Sequence, residues 1–121
     1  MHREGSPRTS DLAQRQCVPC KGGVPPLTPL QIQPLLAQLE GWQVVENHHL
    51  EKTYTTADFA SGLSLVNRIG AIAEEQNHHP DLFLTWGRVV VRIWTHKIKG
   101  LSESDFILAA RCDATTAEFA P

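Results

Sequence analysis

The sequence has too few cysteines for a disulfide scaffold. Cys17, Cys20 and Cys112 make an odd count of three, and no hydrophobic region of a secretion signal stands in the N-terminal MHREGSPRTSDLAQRQ. Cys17 and Cys20 form one C-x-x-C, but a structural zinc site needs four ligands and no second pair exists. A redox pair belongs at a strand-to-helix junction, whereas this one stands in a Pro/Gly-rich lead, VPCKGGVPP. The two thiols are therefore expected in a mobile tail and dispensable. No apolar run approaches the ~20 residues of a membrane helix. No basic stripe is present, and a net charge of −2 does not draw the chain to nucleic acid. No internal repeat longer than a helix-strand-strand pattern is present, and no low-complexity tract. These gaps leave a cytoplasmic protein without membrane or nucleic-acid partners as the expectation.

What remains is ordinary globular composition: 41% hydrophobic and 20% charged residues over 121 positions, enough for one modest core. Residues 1–26 read as an irregular arm, punctuated by Pro19, Gly22, Gly23, Pro25 and Pro26. Residues 27–121 read as the folded domain. Thr28, Pro29 and Gln31 spell a helix start, followed by an apolar stripe of Ile32, Leu35, Leu36 and Leu39, with Gly41 as the stop. Pro34 interrupts it, so the helix starts there or bends there.

WQVV and HLEKTY read as a hairpin turning near Asn47. Thr55-x-x-Asp58 opens the main helix, which runs to Asn77. Phe59, Leu63, Val66, Ile69, Ile72 and Ala73 recur along it at helical spacing. Pro80 bars continuation. LFLTW, a turn at Gly87-Arg88, and VVVRIWT form a second hairpin. Ser102-x-x-Asp105 starts a last helix, with Phe106, Ile107, Leu108 and Ala110 on its apolar side. The fold class is α+β, in the order αββαββα. A four-stranded antiparallel sheet carries three helices on one face.

The chemistry concentrates in histidines. His78 and His79 end the long helix, and His96 ends the fourth strand. Hairpin geometry returns His96 to the neighbourhood of the other two. Glu74 precedes His78 by four residues, which on a helix puts their β-carbons about 5–6 Å apart. A carboxylate there orients or charges the imidazole. Metal binding fits poorly, because adjacent histidines at an extended junction diverge and no metal-box spacing accompanies them. Two readings stay open on these residues alone: general acid/base chemistry, and favourable imidazoles at a helix C-terminus. Asp105 alone is the third residue of a capping box. Trp42 alone is a core residue, and Trp86 is ambiguous. His48 and His49 are expected at a solvated turn, and His2 lies in the arm.

Taken together, Glu74-x-x-x-His78-His79-Pro80, five residues to Trp86, nine more to His96 and eight more to Asp105 resemble the signature of the pterin-4a-carbinolamine dehydratases. Gly41-Trp42 and the GLS of Gly100 to Ser102 are similar as well. The lead CVPCKGGVPPL resembles those of bacterial members. The resemblance runs from about Cys17 to Ala114. It implies the αββαββα fold, assembly as a homodimer or homotetramer, and a small-molecule substrate, 4a-hydroxytetrahydropterin, dehydrated to quinonoid dihydropterin. It implies no metal and no nucleotide cofactor. By match, His78, His79 and His96 are the catalytic trio and bind substrate, Glu74 and Asp105 orient them, and Trp42 lines the pterin pocket. A contrasting role is also known among animal members, as dimerisation cofactors of a transcription factor; pterin binding for another pathway is a third option. The intact trio favours the enzyme.

Overall fold

The computed structural model describes residues 12–18 and 22–119. His2, Pro19 and Cys20 lie outside the described residues.

The first helix, α1 (Pro29–Leu36), begins as the sequence predicts. Thr28 Oγ1 accepts from the Gln31 amide and Gln31 Oε1 accepts from the Thr28 amide, a reciprocal capping box. Pro34 stays inside the helix, neither starting it nor leaving it much further to run. Proline supplies no amide for the ladder, and α1 ends two residues later. Gly41 is thus not the stop. A tightened turn carries the chain on, with Gln38 donating to Leu35 and Leu39 to Leu36. Gly41, at φ 79°, then turns Trp42 inward.

Strands β1 (Gln43–Val45) and β2 (His49–Thr55) pair antiparallel around a turn in which Glu46 and Asn47 are both left-handed. Helix α2 (Phe59–Gln76) is capped three residues later than expected. Thr55 is still in β2. Asp58 is the N-cap, its carboxylate accepting from the Ser61 amide at 2.8 Å, as capping aspartates do. Strands β3 (Asp81–Thr85) and β4 (Arg88–Ile93) follow, with their turn at Trp86-Gly87, one residue earlier than expected. A single 3₁₀ turn (His96–Ile98) leads to α3 (Glu103–Phe119). The elements run αββαββα, as predicted, in an α+β fold.

The sheet order is β1-β2-β4-β3, antiparallel throughout. Leu50, Tyr54, Val89, Val91 and Ile93 fill the face beneath the helices, alternate residues of a strand sharing one face. Helix α2 lies on β3 and β4, and α3 on β2 and β4. The buried side of α2 is Gly62, Leu65, Ile69 and Ala73, while Phe59 and Leu63 are exposed. The expected stripe is therefore rotated. Gly62 lies close against the sheet, where a β-carbon would stand 2.7 Å from Leu84 Cδ1, a contact made by a residue with no apolar signature. Residues Phe106 to Ala110 are buried all round, so α3 is central, with no polar side over that stretch.

The described part of the arm packs as part of the body. Leu12 is fully buried in the common core. The Cys17 amide donates to Gln76 Oε1 (2.8 Å) and its thiol to the Ser104 carbonyl (3.4 Å). Val18 exchanges two bonds with Ser104 Oγ, and Arg111 holds the Arg15 carbonyl with two guanidinium nitrogens. No helix among the described residues is long and apolar enough to cross a membrane.

Candidate active site

The C-terminus of α2 decides where the histidines point. Asn77 caps it in the left-handed conformation (φ 53°), a role asparagine tolerates. The His78 amide then reaches back to the Ala73 carbonyl at 3.1 Å, and Pro80 sends the chain into β3. His78 has left the helical face it would have shared with Glu74, which corrects the expected pairing. Glu74 Oε2 instead meets His79 Nε2 at 2.5 Å, and His78 Nε2 meets Asp105 Oδ1 at 2.5 Å.

These two pairs are unlike. His79 and Glu74 expose 53% and 78% of their side chains, so water screens them and their bond orients more than it stabilises. Asp105 is fully buried and His78 largely so. The capping role expected of Asp105 is present: its Oδ2 accepts from the Ser102 amide at 2.8 Å. The same oxygen accepts from Thr95 Oγ1 at 2.8 Å and weakly from Ser102 Oγ. Only donors surround this carboxylate, as a buried carboxylate requires. One residue therefore ties α3, the end of β4 and His78 together.

His96 opens the 3₁₀ turn just after β4. It joins His78, His79, Asn77, Trp94, Thr95 and Lys97 around an open cleft of about 300 Å³, the lower end of the range for small-molecule sites. The structure thus brings the three histidines to one cavity, with Glu74 and Asp105 each bonded to one of them.

Trp42 is not among the residues lining that cleft. It is buried under the sheet, donating from Nε1 to Asp113 Oδ2 at 3.0 Å, edge-on to Tyr54 and close to Lys52. Its placement follows from the left-handed Gly41 and from Asp113, which also accepts from Lys52 and from the Tyr54 hydroxyl. Burial and the Asp113 carboxylate push the Tyr54 hydroxyl's pKa far up. Trp86 stands at the hairpin tip, 72% exposed.

Sequence reasoning missed Trp94 and His48. The Trp94 ring lies 4.1 Å from that of His96 and 4.2 Å from that of His48, centroid to centroid. His48 is in the turn as expected and His49 opens β2, but both are half-buried, with Nδ1 atoms 3.0 Å apart, which corrects the solvation expected for them. The signal was the β2–β4 pairing: Leu50 opposite Ile93 brings the start of β2 beside Trp94, but strand order is not written in either hairpin. Behind the cleft, burial pushes the Cys17 thiol up to about 11, with Arg111 opposing and Asp105 adding to the rise. Among the described residues, no three His, Cys, Asp or Glu side chains converge as a metal site.

Residues 25–115 match the family model described as pterin 4 alpha carbinolamine dehydratase. Two relatives carry the name "Putative pterin-4-alpha-carbinolamine dehydratase". That of Rubrobacter xylanophilus is 53% identical over 86% of this chain and 97% of its own. That of Rickettsia bellii is 51% identical over 87% and 94%. The crystal structure of a transcriptional coactivator/pterin dehydratase from Brucella melitensis superimposes with a TM-score of 0.70 at 29% identity, covering 74% of this chain and 96% of that one. A pterin dehydratase-like RuBisCO assembly factor of the α-carboxysome shares the fold at TM-score 0.54 and 21% identity. With a family model spanning three quarters of the sequence and relatives above half identity along nearly their whole length, the chain belongs to the pterin 4 alpha carbinolamine dehydratase family.

Proposed function

We propose that the protein eliminates water from a 4a-hydroxytetrahydropterin to give the quinonoid dihydropterin, using histidines as acid and base. The observation that carries this reading is the buried His78–Asp105 pair at the edge of a cleft with two further imidazoles. The elimination removes a proton from a ring nitrogen and breaks the bond to the 4a-hydroxyl, which leaves as water once protonated. A carboxylate surrounded by donors takes the Nε2–H of His78, so the neutral ring keeps its lone pair on Nδ1. This is the logic by which a buried aspartate fixes the tautomer of a catalytic base. His78 is accordingly assigned the base. His79 and His96, both exposed, deliver the proton to the leaving hydroxyl, as imidazoles near neutral pH do. Glu74 and Asp105 are positioning residues. No electron is transferred, so the step calls for neither metal nor nucleotide.

On this reading the catalytic domain is residues 27–121. The protein works in the cytoplasm as a homodimer or homotetramer and returns pterin cofactor to aromatic amino acid hydroxylases.

The test is stopped-flow dehydration of synthetic 4a-hydroxytetrahydropterin in the presence of a chelator. The wild-type chain should exceed the spontaneous rate. His78→Ala and His96→Ala should each lose turnover toward the low end of the ~10²–10⁴-fold range of acid/base catalysis, because the reaction also runs unaided. The double mutant should be worse than either. A double mutant folded by circular dichroism and as fast as wild type would refute the mechanism and favour a non-catalytic, partner-binding role.

A further inference from the structure

His78 and His79 are each held by a carboxylate. His96 is held differently. Among the described residues no side chain hydrogen-bonds its ring, and its one ring contact is with Trp94. We propose that His48 positions His96 through Trp94, so that the turn between β1 and β2 is part of the acid/base machinery. This rests on the histidine reading above.

The contacts form a continuous line. Trp94 packs at 4.1–4.2 Å against both imidazoles, tilted by 42–43°. His48 is fixed in turn: its Nδ1 lies 3.0 Å from His49 Nδ1, one nitrogen donating to the other. His49 Nε2 lies 3.6 Å from Glu51 Oε1, and that oxygen accepts from Arg92 Nε at 2.7 Å. The line therefore runs from a charged pair on the open face of the sheet, through two histidines and an indole, to the third histidine of the cleft. Trp94 follows the last residue of β4, where no ladder partner restrains it. Among the described residues His48 and His96 are the two ring partners of the indole, so His48 helps to fix the ring on which His96 leans.

Aromatic pairs contribute, beyond area burial, the equivalent of about two- to twelvefold in an equilibrium. His48→Ala should lower kcat by about that factor and leave KM nearly unchanged, since His48 does not line the cleft. His48→Phe keeps a ring against Trp94 and should restore most of the loss. Trp94 imposes a ring-current shift on the His96 ring protons. In His48→Ala these should move toward free-histidine values, and in His48→Phe they should stay. This NMR readout does not depend on turnover, so it separates failure of the positioning from failure of the proposed reaction. In a His96→Ala background, His48→Ala should have no further effect on kcat, the sign of action through one residue. Unmoved His96 ring protons in folded His48→Ala would overturn the proposal. So would a His48→Ala loss that persists undiminished without His96.

Discussion

Asp105→Asn is the substitution that isolates base orientation from folding. The amide is nearly isosteric with the carboxylate, so the site stays filled. Its two ends are no longer equivalent, and the surroundings choose between them. Oδ2 faces the Ser102 backbone amide at 2.8 Å, which can only donate, so the amide oxygen must sit there. The NH₂ group then faces His78 Nε2, donates to it, and moves the imidazole proton to Nδ1. His78 keeps its place but loses the lone pair that the proposed reaction uses. The expected fall in kcat is that of a lost general base, about 10²–10⁴-fold. The three main donors to the carboxylate, His78, the Ser102 amide and Thr95, each exchange a charge-assisted hydrogen bond worth about 1.5–3 kcal/mol for a neutral one worth about 0.5–1.5 kcal/mol, a loss of stability on the order of 1–1.5 kcal/mol apiece that removal of a buried charge partly offsets. Asp105→Ala is the poorer experiment, because it takes the acceptor from the Ser102 amide and His78 together. The assay is single-turnover dehydration beside a urea melt. A folded Asp105→Asn protein with wild-type kcat would show that the His78 tautomer does not matter and would remove His78 from the role of base.

Two further expectations concern the arm. Leu12→Ala opens a cavity in the common core and should cost about 2–5 kcal/mol in urea unfolding; an unchanged midpoint would show that the arm is not part of the cooperative unit. The Cys17 thiol, raised by burial from 9.0 to about 11, should react slowly with disulfide reagents at pH 8 in a Cys20→Ser background, and quickly in urea. Because the folded state holds its proton where the unfolded chain has lost it, this stabilisation is complete below pH 9 and fades as pH rises through about 11. Labelling equally fast with and without urea would contradict that burial.

Much of the fold was legible because its signals are local. The capping box at Thr28 and Gln31, the left-handed Asn47 and the stop at Pro80 depend on neighbours in the chain, and the element order follows from them. Hairpin geometry also sufficed to bring His96 toward His78. Four features depended on contacts that no local pattern records. Asn77 uncoupled His78 from Glu74 by ending the helix one residue too soon. The buried face of α2 includes Gly62, packed against Leu84. The β2–β4 pairing carried His48 to Trp94. Leu12, an isolated apolar residue in a polar stretch, showed no periodicity by which its burial could be anticipated.

The docking of residues 12–18 also bears on the order of events during synthesis. Their contacts reach forward by 59 residues to Gln76, by 86 to Ser104 and by 96 to Arg111. A ribosome releases this segment early, before any of those partners exists. At roughly 5–20 residues per second, about 5–20 s pass before Arg111 has been made. Throughout that interval Leu12 and the Cys17 thiol have no native seat, and chaperones or oxidants can meet them there. The junction of α2 with α3 creates the seat, so the earliest part of this segment to be translated is among the last to be ordered.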